Sequence, residues 1–271
     1  MVGSWRAHYF FNKKGLPFKL LALYMHVFGD PDLHAHIRAR SFRKYYQPFD
    51  NNVEIGAGAA IMSVEYYLKT KKPIAAMPYT NELFEKCMTS LKLAGYADNV
   101  TVGMEDARTL ASLKDAHFDQ VFLFDVLEHV EGDDLNVLQN INRILKKGGT
   151  VLISVPTPMY PLYFGEKFDS WAWDYHKAEK AKHHLRHYSL AILKDLLGKS
   201  NFELVSWQYH TNPFASKLCK IWYDYCYDFI LLRYMLLPFL SLLSLFDLIS
   251  PIKEKELPLK SSGLLIQARK R

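Results

Sequence analysis

From Asn52 onward, short apolar runs alternate with longer segments whose apolar positions recur every three or four residues. That alternation is the pattern of a parallel sheet with helices packed on its faces. The apolar runs predict strands near 52–56, 73–77, 100–104, 119–125 and 149–155, and the periodic segments predict helices near 60–70, 81–94, 107–114 and 133–146. Two further strands, Phe202 to His210 and Gly263 to Lys270, complete a seven-stranded sheet, so the fold class is α/β with helices on both faces. No internal repeat or low-complexity tract interrupts the pattern.

Ahead of this region, 16–28 is apolar at helical spacing and is stopped by Gly29-Asp30-Pro31; it is too short to span a bilayer. A second helix is expected over 33–46, with Arg38, Arg40, Arg43 and Lys44 largely on its surface. The chain thus divides into an N-terminal helical basic cap, 1–47, and one domain, 48–271, with insertions at 156–182 and 211–260. The first insertion is aromatic-rich, carrying Tyr160, Trp171 and Trp173 just after the fifth strand. Open α/β sheets bind ligands outside the carboxyl ends of their strands, which makes this loop the place to hold a substrate.

The second insertion is helical and contains 229–246, apolar nearly all round and therefore unable to lie free in water. Only 13 uncharged residues separate Arg233 from Asp247 and Pro238 sits among them, whereas about 20 are needed to cross a bilayer. Three readings stay open: a buried packing element, a homodimer interface, or an interfacial membrane helix flanked by Trp222, Tyr223, Tyr225 and Tyr227.

Composition narrows the class without deciding it. At 271 residues, 49% apolar and 23% charged, the chain can bury a full core. Cys87, Cys219 and Cys226 are too few and too scattered for a disulfide frame, and 1–8 is short and polar with no leader-like core behind it. A reducing, cytoplasmic compartment follows as an expectation. The net charge of +6 is concentrated in 1–47, where eight Lys/Arg face two Asp. Such an arm suits an anionic partner, and a peripheral position at the inner face of a membrane fits it together with 229–246. No nucleic-acid-binding module accompanies the arm, so nucleic acid is not an expected partner.

The chemistry starts at Asn52-Val53-Glu54-Ile55-Gly56-Ala57-Gly58-Ala59-Ala60, a buried strand running into a glycine turn that opens a helix. Such a turn brings backbone close to a ligand and aims the helix N-terminus at it. Downstream stand Phe118-Asp119-Gln120-Val121-Phe122-Leu123-Phe124-Asp125-Val126-Leu127-Glu128-His129-Val130 and Leu145-Lys146-Lys147-Gly148-Gly149. Together these stretches resemble the class I S-adenosylmethionine-dependent methyltransferases, in particular the branch acting on small molecules, lipids and glycans. The likeness covers roughly 48–210 and resumes at 262–270. It implies a Rossmann-like seven-stranded sheet whose last strand is antiparallel, a helical cap over the cleft, and S-adenosyl-L-methionine as cofactor.

Carried over position by position, the resemblance assigns Glu54, Gly56 and Gly58 to the methionine end of the cofactor, Asp106 and Ala107 to the adenine, and Asp125 to the methionine amine. Ala60 stands in place of a third glycine. Met77 stands where the family has an acid that accepts from both ribose hydroxyls; a thioether accepts poorly, so bonds worth ~2–3 kcal/mol would be missing. That departure keeps an alternative open, a non-catalytic methyltransferase-like scaffold that has lost its cofactor.

For the acceptor, the run Lys182-His183-His184-Leu185-Arg186-His187-Tyr188-Ser189 offers His184 as a proton acceptor, with His129 after the fourth strand as a second. Arg186 and Tyr188 join Tyr160, Trp171 and Trp173 as expected acceptor contacts, and Ser189 is read as an N-cap. The three histidines of the run lack a partnering Cys or Asp, so no metal is expected. Because a sulfonium is already a good leaving group, no nucleophile triad is needed. The expected reaction is methyl transfer to a small or lipid-linked acceptor, at oxygen.

Overall fold

A computed structural model describes residues 15–16, 19–20, 23, 33–58, 60–157, 184–211, 213–221, 230–246 and 261–271. Helix α1 (Leu33–Phe42) runs into a 3-10 turn (Arg43–Tyr45) and leads to β1 (Asn52–Ile55). The chain continues through α2 (Ile61–Thr70), β2 (Ile74–Met77), α3 (Asn81–Ala94), β3 (Val100–Val102) and β4 (Phe118–Phe124). After a 3-10 turn (Leu127–His129) come α4 (Asp134–Ile144), β5 (Leu145–Pro156), α5 (Leu190–Lys199) and β6 (Phe202–His210). Helices α6 (Pro213–Ile221) and α7 (Ile230–Leu243) precede β7 (Gly263–Lys270).

The seven strands pair in the order β3-β2-β1-β4-β5-β7-β6. Strands β1 to β5 are mutually parallel, and β7 is antiparallel to both β5 and β6, as the resemblance implied. Successive connections leave β1 in opposite directions, through β2 on one side and β4 on the other, which opens a crevice above their carboxyl ends.

Central strands covered on both faces are predominantly apolar, and alternate residues divide them between two cores. Val53, Ile55, Val121, Leu123, Val151 and Ile153 face α4 and α5. Phe122, Phe124 and Leu152 face the opposite layer, against Val64 and Tyr66 of α2 and Phe42 of α1. The Phe42 and Phe124 rings stack with centroids 4.7 Å apart. Thr80, Asp133 and Ser189 cap α3, α4 and α5 through their side-chain oxygens, as expected for Ser189.

The helix expected over 107–114 does not form. Leu110 adopts a left-handed φ of +45°, and Arg143 of α4 donates to the carbonyls of Leu110 and Leu113 at 2.8 and 3.1 Å. Those carbonyls are thereby held in turns, where a helix would direct them along its own axis. The helix expected over 33–46 likewise stops at Phe42 and tightens into the 3-10 turn.

The basic cap and the second insertion meet. Leu33 and Ile37 of α1, Ala215, Leu218 and Cys219 of α6, and Leu240 of α7 form a third buried cluster. This settles one side of α7 in favour of packing. Its other side is exposed at Met235, Phe239 and Leu242, which lie along one helical stripe. Most of the expected helix over 16–28 and all of 158–183 and 247–260 lie outside the described residues.

Candidate active site

A cleft of about 370 Å³ opens above the carboxyl ends of the parallel strands and is lined by Ile55 and Gly56, by Asp106 and Ala107, and by Asp125 and His129. Its floor is the glycine turn. Gly56 has φ +72°, a conformation costly for any residue with a Cβ, and a Cβ there would lie 2.4 Å from Val126 Cγ2. Its amide donates to the Met77 carbonyl at 2.8 Å, so the turn is tied to the end of β2. Gly58 is also left-handed, with open space where a Cβ would stand. Ala60, in the third-glycine position, carries φ +58° at full burial, a strained start for α2 that glycine would relieve.

Glu54 lies beneath this floor. It is buried and accepts from Ser63 Oγ of α2 at 2.5 Å, and burial pushes its carboxyl up to about 7 against the opposing Ser63 hydrogen bonds. Its visible work is to join β1 to the first turn of α2; it does not line the cleft.

Met77 departs further from its expected place. The side chain is buried and packs towards Gly103, where a Cβ would come within 2.7 Å of the Met77 sulfur, and it is absent from the cleft wall. The wall on that side is Tyr79, with the Arg108 guanidinium 5.9 Å from its ring and donating to its hydroxyl at 3.1 Å. Reading Met77 as the residue that meets a ribose is therefore corrected: β2 contributes its Met77 carbonyl to the turn, and the segment after it contributes Tyr79 to the cleft.

Asp106 does line the cleft, but its carboxylate is engaged. Arg108 Nε donates to both oxygens at 3.0 and 2.9 Å, Nη2 to one at 2.6 Å, and the Arg108 amide to Oδ1 at 2.9 Å. These hydrogen bonds hold Asp106 below its ordinary carboxylate range, the side-chain bonds foremost. Beside it, buried Glu105 accepts from the amide and hydroxyl of Ser112. Sequence reading passed over Arg108, although its spacing of two from Asp106 favours a local fork.

Asp125 ends β4 with φ +53° and accepts from Ser154 Oγ at 2.7 Å. Its other oxygen pairs with Arg38 of α1. The sequence had assigned Arg38 to a surface patch with Arg40, Arg43 and Lys44; the structure turns that patch inward. Arg40 donates to Ser244 at 2.7 Å and Arg43 pairs with Glu65 at 2.8 Å, which leaves Lys44 over the Tyr45 ring. Spacing alone could not reveal this, because α1 turns more than one face towards protein.

His129 and His184, 55 positions apart, come together with ring centroids 4.8 Å apart. A clasp between two loops holds them. Leu185 donates its amide to the Glu128 carbonyl at 2.7 Å, and Arg186 binds the Val130 carbonyl at 2.8 Å and the Asp134 carboxylate. Tyr188, buried, donates its hydroxyl to Asp134 at 2.9 Å. Burial, with Asp134 adding to it, raises the Tyr188 phenol far above its usual range. The acceptor contacts expected of Arg186 and Tyr188 are thus replaced by a structural role, since both polar ends are spent within the clasp. Tyr160, Trp171 and Trp173 lie outside the described residues.

These residues suit a zwitterionic ligand end beside Arg38 and Asp125, on a floor without Cβ atoms. Comparison with known proteins identifies the family. The profile of the family described as "Methyltransferase domain" matches residues 33–207. Among solved structures, an S-adenosylmethionine-dependent methyltransferase from Mesorhizobium loti is similar with a TM-score of 0.57 at 15% identity, over 88% of this chain and 100% of that one. Haemonchus contortus phosphoethanolamine N-methyltransferase 2, in complex with S-adenosyl-L-methionine, gives 0.60 at 15% identity over 86% and 52%. A geranyl diphosphate methyltransferase in complex with GPP and sinefungin gives 0.59 at 12% identity over 86% and 77%. Curated protein sequences give no match. The chain belongs to the methyltransferase domain family.

Proposed function

We propose that the protein transfers a methyl group from S-adenosylmethionine to an oxygen of a small or lipid-linked acceptor. The observation that carries this reading is the cleft itself, in which Gly56, Ala107 and Asp125, the last paired with Arg38 of α1, converge above the parallel strand ends, with His129 on the wall. The cofactor supplies a methyl group already activated on a sulfonium, so no protein nucleophile is required. Gly56 and Gly58 would admit its amino-acid portion, Asp125 and Arg38 would take its ammonium and carboxylate, and Ala107 would border the adenine. His129 and His184 border the acceptor side.

Support for a lipid-linked acceptor comes from two features. Two structural neighbours are solved in complex with phosphate-bearing molecules, phosphomonomethylethanolamine in one and GPP in the other. In this chain the exposed stripe of Met235, Phe239 and Leu242 offers an apolar face for peripheral contact with a membrane. Among the described residues no helix is long and apolar enough to cross one. Arg38 does not contribute to an anionic-lipid patch, because its charge is paired with Asp125, and Arg40 is turned towards Ser244. We place the protein in a reducing cytoplasmic compartment, peripheral at the inner membrane face.

The test pairs calorimetry with S-adenosylhomocysteine and transfer of a tritiated methyl group to lipid and small-molecule extracts. Binding with a micromolar constant, and label in an organic-soluble product that survives amine-specific cleavage, is expected. Absence of binding would overturn the reading. Vesicle flotation examines the membrane element: the wild type should float, a Met235→Asp/Phe239→Asp/Leu242→Asp variant should not, and a soluble wild type that scatters as a dimer would assign the stripe to a second copy.

A further inference from the structure

We infer that Glu128, His129 and His184 form a divalent transition-metal site on the acceptor side of the cleft. The inference rests on the methyltransferase reading for its role, but not for its existence. One ligand atom from each of the three residues lies within 4.8 Å of the other two. A metal bound at about 2.0–2.2 Å from such donors draws them to within roughly 3.5 Å of one another, a contraction that side-chain torsions supply.

The donor set is selective. Two imidazoles and one carboxylate suit Zn²⁺, Co²⁺, Fe²⁺ or Mn²⁺ better than Mg²⁺ or Ca²⁺, which prefer oxygen alone. Three protein ligands leave open positions, the arrangement of sites that bind a reacting oxygen rather than only brace the fold. The site borders the cleft through His129, which is exposed and lines it, while Glu128 is buried behind.

The site is also built. Glu128 and His129 share one 3-10 turn, and His184 is carried in on the far strand of the clasp. The Leu185–Glu128 backbone bond of 2.7 Å fixes His184 beside the turn, and Arg186 and Tyr188 anchor the same segment on Asp134. Metal ligands need this kind of external support to hold their orientation. A clasp that spends an arginine, a tyrosine and a half-buried aspartate next to two histidines gains a purpose once it positions a ligand.

At this place the ion would bind an acceptor hydroxyl. The O–H bond breaks with its proton passing to solvent water, and the oxygen keeps the electron pair, held as a metal alkoxide poised for methylation. That makes the acceptor class an alcohol, phenol or enol, with a neighbouring oxygen favoured as a second donor to the metal.

The experiment uses the full chain stripped with a chelator and then titrated with cobalt(II) chloride, followed by visible absorption and by calorimetry. One equivalent with a micromolar or tighter constant is expected, together with a d–d absorption band. Glu128→Gln and His184→Gln should each weaken it at least tenfold. His129→Gln should do the same, and because His129 is exposed that variant tests ligation without disturbing the core. His117→Gln, an exposed imidazole elsewhere, should change nothing. Uptake that is absent, or unchanged in His129→Gln, overturns the inference. S-adenosylhomocysteine binding to the stripped protein is measured in parallel: retained cofactor binding without metal uptake sinks the metal site alone, and metal uptake without cofactor binding sinks the methyltransferase reading alone.

Discussion

The guanidinium of Arg38 reaches from α1 to the carboxylate of Asp125 at the end of β4 and forms an ion pair at the cleft. Arg38 Nε is buried there without a hydrogen-bond partner. An α-amino acid end bears an ammonium and a carboxylate, so it can replace each member of this pair as partner to the other. Arg38→Ala should weaken S-adenosylhomocysteine about ten- to a hundredfold by calorimetry, or ~1.4–2.8 kcal/mol. Arg38→Lys keeps the charge but not the fork and should fall between. An unchanged constant would leave the pair a purely structural link.

Substitution at Met77 distinguishes its buried position from a ribose contact. The side chain packs inside, near Gly103, so Met77→Asp would bury a carboxylate among apolar groups. The expected outcome is a loss of stability of about 2 kcal/mol or more in denaturant unfolding, with no gain in cofactor affinity. A tighter cofactor constant at unchanged stability would return the acid to the cleft.

Tyr188→Phe should lower stability by about 1–2 kcal/mol, because a buried hydroxyl bond to Asp134 is lost while the ring still fills its place. KM for the acceptor should stay within twofold. A large KM change at constant stability would restore Tyr188 to acceptor binding.

Glu54 ties stability to pH. Its carboxyl is raised by burial from an ordinary 4.5 to about 7, so between these values the folded chain holds a proton that the unfolded chain has released. The contribution of the neutral group is full below pH 4.5 and is lost as pH rises through 7. Glu54→Gln cannot ionise and should remove that decline, which makes it more stable than wild type by about 3 kcal/mol above pH 7. Thermal melts across pH 4.5–8 measure the difference, and parallel curves for the two proteins would refute it.

His210 acts with the opposite sign. Burial, with the charge of Arg38 as a lesser cause, lowers its imidazole from 6.5 to about 3. The stability of its neutral form is present above pH 6.5 and is lost as pH falls towards 3. His210→Gln should flatten the acid limb of the unfolding curve. Gly263→Ala should destabilise strongly at every pH, because its Cβ would lie 2.1 Å from the His210 ring.

Strand and helix alternation, the glycine turn and the seven-strand count were legible in the sequence because each depends on neighbours two to four residues apart, where the periods of sheet and helix operate. The same locality marked Ser189 as a cap. What only tertiary structure decided concerns residues far apart in the chain. The 107–114 segment forms turns because Arg143, about 30 positions on, holds its carbonyls. Arg38 leaves the surface because α1 packs between the sheet and helices α6 and α7, which sets its charge against Asp125. His184 becomes a neighbour of Glu128 and His129 because the Arg186–Tyr188 clasp closes on Asp134. Met77 faces the core because the side-chain period of a strand fixes that residues alternate, and only packing against Gly103 fixes which face is covered.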